Sequence, residues 1–316
     1  MTLPNFIIIG AAKSGTTSLY QYLRQHPDIY MSPVKEPRFF AFELEDLDFR
    51  GPGDAELHRS SILNFEQYTA LFRGAGGQKA VGEASPVYLC SPRTAGKIKA
   101  HVPNAKLIAI LRHPVERAYS HYLHLIRDGV EPLADFGHAL AVEPQRAQDN
   151  WEYRWRYREL GLYSGQLRRY FDAFPGEQIK IYLYEEFDRE PLRVLEEIYR
   201  FLGVDPTFVA DTSVRYNASG VPRSKLVHAV LSKLQKATQS AFDQAPAPTA
   251  AAMLASGLGK SALVEKARKL GVGLKTRNLV KPELSPRVRQ ELLAACREDI
   301  LATQALMRRD LSHWLA

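Results

Sequence analysis

This chain of 316 residues has few cysteines, no long apolar run and no recognisable secretory leader pattern in its first residues. Its two cysteines, Cys90 and Cys296, lie far apart and outside any paired motif, which argues against a disulfide framework or a structural zinc site. No apolar stretch reaches the roughly 18 residues that a membrane-spanning helix needs. The first residues, MTLPN, lack the basic start and the cleavage site of a signal peptide. These absences predict a soluble, cytoplasmic protein with reduced cysteines.

Charge is also not concentrated in one place. Lysine and arginine number 42 against 35 aspartates and glutamates, so the net charge is +7. The basic residues are scattered, without the like-charge run that marks a nucleic-acid-binding arm. The excess of basic over acidic residues therefore favours an anionic ligand rather than nucleic acid.

Short apolar runs separated by helical patterns predict an α/β fold. Four runs are typical of strands: residues 6–9, 80–83, 106–111 and 179–184. Each is continuously apolar, as in a parallel sheet whose two faces are both covered by helices. Helical patterns span residues 15–25, 65–72, 92–101, 114–127, 162–174 and 191–202, and resume from Ser285. We therefore expect one domain over residues 1–316 with a P-loop-like central parallel sheet.

Three segments have the composition of loops, at residues 41–60, 128–150 and 237–262. The last contains the sequence APAP, whose prolines cannot continue a helix. We predict a mobile loop or lid over residues 237–262, with a passive surface insertion as the alternative.

The first strand leads into a loop bounded by Gly10 and Gly15 and then into a helix. This order builds an anion cradle from backbone N–H groups and a helix dipole. The spacing matches the start of a Walker loop, but Thr16 stands where that loop has its lysine. The strand at 106–111 also ends in Arg112 rather than in an aspartate that could help to hold Mg²⁺. The loop is therefore predicted to bind an anion without the usual metal ligands.

The segment Lys13–Thr17 resembles the 5′-phosphosulfate loop of PAPS-dependent sulfotransferases, which has the form strand, K-[ST]-G-T-T, helix. Five further segments resemble motifs of that family, in its glycan (heparan-type) branch, and follow in the expected order. They are KEPRFF at 35–40, EASPVY at 83–88, RHPVERAYS at 112–120, FLGV at 201–204 and NASGVPRSK at 217–225. Together they cover most of the chain and are typical of a bacterial member of the family.

The resemblance implies transfer of a sulfuryl group from PAPS to a hydroxyl acceptor, with PAP as the product and no metal. It implies that Lys13 neutralises the leaving group, and that the 5′-phosphate is held by Lys13, Ser14, Gly15, Thr16, Thr17 and Ser18. The 3′-phosphate and the adenine side are assigned to Arg112, Ser120, Arg223 and Lys225. A planar guanidinium at the end of a buried strand suits a phosphate.

Two carboxylates are candidates for the base that accepts the hydroxyl proton. Glu36 lies where the glycan branch carries its catalytic carboxylate, and nearby lysines would keep it ionised. Glu83 ends the second predicted strand, where cytosolic sulfotransferases place a catalytic histidine. Arg38 replaces the histidine of the family's KEPHFF segment, which argues against an acceptor identical to that of the heparan enzymes.

A carbohydrate is the first expectation for the acceptor, and a hydroxylated lipid or another natural product is the second. The aromatic cluster at 151–157 either lines an acceptor cleft or faces the core. Two other functions remain alternatives: a P-loop small-molecule kinase and a non-catalytic nucleotide-binding protein. Nothing in the sequence indicates the oligomeric state.

Overall fold

The computed structural model describes residues 2–45, 47–214, 216, 219–224, 271, 273–274 and 276–316. The chain forms two compact units, residues 1–212 with 283–316, and residues 213–282. The predicted single domain over 1–316 stays a prediction, and the predicted lid at 237–262 lies outside the described residues. No helix within the described ranges is both long and apolar enough to cross a membrane.

The first unit is built on a five-stranded sheet in which every pair is parallel, in the order β2-β3-β1-β4-β5. The strands are β1 (Phe6–Gly10), β2 (Ile29–Met31), β3 (Ala80–Ala84), β4 (Lys106–Leu111) and β5 (Ile179–Leu183). The predicted α/β class with a central parallel sheet is confirmed. The sequence reading missed β2, whose three residues are too few to show a pattern.

Helices connect the strands. The first six are α1 (Thr16–Leu23), α2 (Phe39–Phe42), α3 (Asp54–Ser60), α4 (Phe65–Ala70), α5 (Val87–Cys90) and α6 (Thr94–His101). The next four are α7 (Pro114–Arg127), α8 (Phe136–Ala141), α9 (Glu143–Gln148) and α10 (Tyr163–Ala173). Among helices whose full range is described, three more follow: α11 (Tyr184–Arg189), α12 (Pro191–Leu202) and α13 (Pro286–Met307).

Two of the segments predicted as loops contain helices, so those predictions are wrong in part. Residues 41–60 include α3, and residues 128–150 include α8 and α9. These helices have six or seven residues each, too few for a helical period to stand out. Local side chains fix them instead, as when the Asp135 carboxylate caps α8 by accepting from the His138 N–H at 2.7 Å.

Two glycines allow close packing around the strand that feeds the predicted cradle. A Cβ on Gly82 of β3 would lie 2.3 Å from Cζ of Phe6, and a Cβ on Gly10 of β1 would lie 2.6 Å from Cβ of Leu89. Neither contact is tolerable, so β3 and α5 approach β1 only because these positions lack side chains. The approach brings the segment after β3 close to the loop after β1.

The second unit is described in part. Its two-residue strands β6 (Val221–Pro222) and β7 (Leu279–Val280) pair antiparallel. The Arg223 N–H donates to the carbonyl of Asn278 at 2.7 Å.

Candidate active site

The three central strands β3, β1 and β4 are neighbours and parallel, so their carboxyl ends share one edge of the sheet. The predicted cradle follows β1, Glu83 lies in β3, and Arg112 follows β4. The carboxyl edge of an open parallel sheet is where such folds bind ligands. The topology therefore brings these predicted site segments to one place.

The loop between β1 and α1 has the features of an anion cradle. Gly15 precedes α1 with φ +90°, and a Cβ there would lie 3.2 Å from the ring of Phe187. The N-cap residue of α1 is Gly15, which has no side chain to cap the helix, and the first turn contains no acidic residue. The buried Ser14 hydroxyl has no hydrogen-bond partner within the part of the chain that the structure describes. An uncapped helix start beside a buried hydroxyl without a partner fits a bound anion.

Lys13 lies inside this loop with its backbone in the left-handed region, at φ +68°. Its carbonyl accepts a hydrogen bond from Nη1 of Arg112 at 3.1 Å, which ties the loop after β1 to the end of β4. Burial, followed by the charge of Arg127, lowers the pKa of Lys13 from 10.5 to about 7. The charge of Asp128 opposes this shift. An anionic ligand placed against this amine would favour its charged form.

Arg112 is held from two sides. The Tyr163 hydroxyl donates to its carbonyl at 2.8 Å, and the guanidinium lies over the ring of Tyr184 with 4.5 Å from Cζ to the centroid. These contacts fix the strand end from which the guanidinium projects. Ser120, its predicted partner, is fully buried in α7.

Arg127 and His124 were not predicted as site residues. His124 lies four positions and Arg127 seven positions after Ser120, on the same face of α7. Arg127 donates to Oδ1 of Asp128 at 3.0 Å and also bonds Nδ1 of His124. Burial, Lys13 and Arg127 together hold the pKa of His124 well below its ordinary value. The helical spacing from Ser120 could have identified both residues.

Glu36 lies between two cations on the segment that follows β2. Lys35 Nζ is 2.5 Å from one of its carboxylate oxygens, and Arg38 Nη2 is 3.2 Å from the other. Burial alone would raise the pKa of Glu36, but the two cations outweigh it and lower the pKa to about 2. The carboxylate is therefore ionised at neutral pH, with 33% of its side chain exposed. Its charge also acts on Lys13.

Glu83 is in a different environment, with no exposed surface. Its carboxylate accepts from the hydroxyl of Ser85 at 2.9 Å and from that of Tyr68 at 3.3 Å. Burial raises its pKa to about 7, against the opposing effect of the hydroxyl groups of Tyr88, Ser85 and Tyr68. The two candidate bases thus differ in that Glu36 is ionised and accessible whereas Glu83 is enclosed.

The other predicted site residues lie as follows. Thr16 and Ser18 are buried and Thr17 is partly exposed in the first turn of α1. Arg223 is exposed in the second unit, and Lys225 lies outside the described residues. The assignment of both to the nucleotide stays a prediction.

The aromatic cluster at 151–157 divides between its two interpretations. Trp155 and Tyr157 have no exposed surface and belong to the core, where the Trp155 indole N–H donates to Oδ1 of Asp54 at 3.0 Å. Trp151 and Tyr153 are partly exposed.

Comparison with known proteins agrees with this geometry. A family model described as "Sulfotransferase family" matches residues 4–208. The chain belongs to the sulfotransferase family. The predicted resemblance is therefore confirmed, and the matched range contains Lys13, Glu36, Glu83, Arg112 and Ser120.

Individual sulfotransferases are similar over different lengths. The crystal structure of a sulfotransferase from Alicyclobacillus acidocaldarius is 36% identical, with all of both chains covered and a TM-score of 0.75. The human bifunctional heparan sulfate N-deacetylase/N-sulfotransferase 3 is 30% identical over 211 residues, which are 65% of this chain and 23% of that protein. The membrane-associated sulfotransferase kil1 of Dictyostelium discoideum is 41% identical over 123 residues, 39% of this chain and 23% of that one. The chain thus matches about a quarter of the length of these two relatives.

Proposed function

We propose that this sulfotransferase moves a sulfuryl group from PAPS to an acceptor hydroxyl, without a metal, and releases PAP. The observation that carries the proposal is the loop between β1 and α1. There Lys13 is held by Arg112 beside an uncapped helix start and a buried hydroxyl without a partner. No observation favours the kinase or the non-catalytic alternative. A P-loop kinase needs the lysine of the Walker loop, and this chain has Thr16 at that position.

The residues of the cradle fit a nucleotide that carries a 5′-phosphosulfate. Backbone N–H groups from Gly15 to Ser18 and the Ser14 hydroxyl would hold the 5′-phosphate. Arg112 and Ser120 would hold the 3′-phosphate. Negative charge develops on the leaving oxygen during the transfer, and the Lys13 ammonium is the cation suited to neutralise it.

Glu36 is the base that the site supports best. It is an ionised carboxylate with a third of its side chain exposed, so it can accept the proton of a hydroxyl that approaches from solvent. Its two ion pairs make it a weak base in the empty site. An acceptor or donor group that draws Lys35 or Arg38 away would raise the pKa of Glu36 toward its ordinary value of 4.5.

A carbohydrate hydroxyl is the acceptor class that we propose first. Similar proteins include carbohydrate sulfotransferase 15 of Homo sapiens, which is 28% identical over 250 residues and matches 65% of this chain and 44% of that protein. A hydroxylated lipid or another natural product is the second class. A cytoplasmic location belongs to the same proposal, in keeping with the free thiols of Cys90 and Cys296.

Product screening by mass spectrometry tests the function. The protein is incubated with PAPS, EDTA and a panel of glycan, lipid and phenolic hydroxyl acceptors. We expect an acceptor that gains one sulfuryl group for each PAP released, and loss of turnover in Lys13→Ala. Lys99→Ala is the matched control, since its ammonium bonds the Pro103 carbonyl beside α6. Transfer of phosphate from MgATP, with no response to PAPS, would contradict the proposal.

A further inference from the structure

The buried carboxylate of Glu83 lies beneath the segment that carries Glu36. Residues 36–40 run over the end of β3, where the Glu36 N–H donates to the Ala84 carbonyl at 3.0 Å. Glu36 and Arg38 both have left-handed backbones, at φ +64° and +58°. Two such residues so close together need external restraint, because each costs free energy relative to ordinary backbone.

Two hydroxyl groups next to Glu83 provide this restraint. The Ser85 hydroxyl donates to Glu83 at 2.9 Å, and its oxygen accepts the N–H of Arg38 at 3.1 Å. The Tyr88 hydroxyl oxygen accepts the N–H of Phe40 at 3.3 Å, and Tyr88 is close enough to Glu83 for each group to shift the pKa of the other. Each hydroxyl has one proton, and a carboxyl oxygen of Glu83 that accepts this proton leaves the hydroxyl lone pairs for the backbone.

Glu83 itself has no route to an acceptor. Its surroundings are the hydroxyls of Tyr68 from α4, Tyr88 from α5 and Ser85, with the charge of Glu36 nearby. Since no part of Glu83 is exposed, a sugar or lipid hydroxyl cannot reach it without displacing these contacts.

We propose that Glu83 is a positioning residue for Glu36: through the hydroxyls of Ser85 and Tyr88, it holds residues 36–40 so that Lys35 and Arg38 flank the Glu36 carboxylate. The consequence for catalysis rests on the proposed function, in which Glu36 is the base. The geometric part concerns the empty protein and can be tested without a substrate.

The first test is a pH titration of Glu36, monitored by carboxyl ¹³C NMR in protein labelled at glutamate. The Glu36 signal is assigned as the one that is lost in Glu36→Gln. The wild type, Glu83→Ala, Ser85→Ala and Ser85→Thr are compared. In Ser85→Ala and Glu83→Ala, we expect the Glu36 pKa to rise by about one pH unit or more, a tenfold change in its ionisation constant. Ser85→Thr keeps the hydroxyl and is expected to keep the wild-type value.

Thr69→Ala is the matched control for loss of a buried hydroxyl. Thr69 lies in α4 beside Tyr68, and its hydroxyl donates to the Glu66 carbonyl in the same helix at 3.0 Å. We expect no change in the Glu36 titration in this variant. A Glu36 pKa that is the same in wild type, Glu83→Ala and Ser85→Ala would overturn the proposal.

Kinetics with PAPS and the best acceptor from the product screen give the second test. Ser85→Ala and Glu83→Ala should each lower kcat by about 10- to 100-fold, as expected when a catalytic group is misplaced. Combined with Glu36→Gln, neither should lower the residual rate by more than about twofold, because both act through Glu36. The positioning role would be overturned if either substitution lowered kcat by the same factor in the wild type and in Glu36→Gln. It would also be overturned if Glu83→Ala lowered kcat while Ser85→Ala kept full activity. If the wild type transfers no sulfuryl group, the proposed function fails while the NMR titration still decides the geometry.

Discussion

Binding of the nucleotide should be coupled to uptake of a proton by Lys13. In the empty site burial and the charge of Arg127 hold the pKa of Lys13 at about 7, so the amine is mostly neutral at pH 8. A phosphate placed against it would favour the charged form and raise this pKa. The free energy of charging the amine is then supplied by the ligand, and the observed affinity must depend on pH.

The magnitude follows from the pKa of about 7 in the empty protein. At pH 8 about 0.9 proton should be taken up for each nucleotide bound, if the pKa in the complex lies well above 9. Between pH 7.5 and pH 9 the affinity should fall by about 20-fold as the protonated fraction of the free protein falls. The ligand contributes little over this range, because the second pKa of a phosphate ester is about 6.

Isothermal titration calorimetry with 3′,5′-ADP, in buffers of different ionisation enthalpy, measures both quantities. Lys13→Ala should bind more weakly at pH 7.5, take up no proton and approach the wild type in affinity by pH 9. Lys99→Ala should behave as the wild type. Affinity that is constant from pH 7.5 to 9 with no proton uptake, or the same uptake in Lys13→Ala, would refute the reasoning.

Three further predictions concern single residues. Gly15→Ala should lower the free energy of unfolding by about 1–2 kcal/mol in urea titrations and weaken 3′,5′-ADP binding, because it puts a side chain at φ +90°; unchanged stability and binding would contradict this. Arg112→Ala should remove the preference for 3′,5′-ADP over 5′-AMP in thermal-shift assays, and an undiminished preference would exclude it as a ligand of the 3′-phosphate. For Glu83 the folded pKa of about 7 lies above the ordinary 4.5, so the stability from its neutral form is present below pH 4.5 and is lost as the pH rises to 7. The free energy of unfolding of Glu83→Gln minus that of the wild type should therefore rise by about 3 kcal/mol over this range, at 1.36 kcal/mol for each pH unit. A difference that does not change with pH would contradict the raised pKa of Glu83.

Much of the fold could be predicted because its signals are local. Strands β1, β3, β4 and β5 are continuous apolar runs, and the predicted helix at 114–127 has the observed bounds. The strand β2 and the helices α8 and α9 are too short for periodicity to identify them. Pairing with β3 defines β2, and a local cap by the Asp135 carboxylate fixes the start of α8.

The site was predictable in its residue types but not in its arrangement. Lys13, Glu36 and Arg112 stand in motifs that the sequence displays. The role that we propose for Glu83 depends on contacts that join distant parts of the chain, such as the Arg38 N–H on Ser85, 47 positions away. Arg127 looked like an ordinary charged residue at the end of a helix, and only the structure revealed its effect on Lys13.

The most direct test of the central claim is a comparison of sulfuryl transfer from PAPS by the wild type, Lys13→Ala and Glu36→Gln, with PAP and the sulfated acceptor quantified in the same reaction. We predict equal amounts of PAP and sulfated product in the wild type, in EDTA, and a fall of about 10²- to 10⁴-fold in Glu36→Gln, the usual contribution of a general base. Lys13→Ala should lose turnover while it still binds 3′,5′-ADP. Full turnover in either variant, or no transfer from PAPS to any hydroxyl by the wild type, would contradict the account.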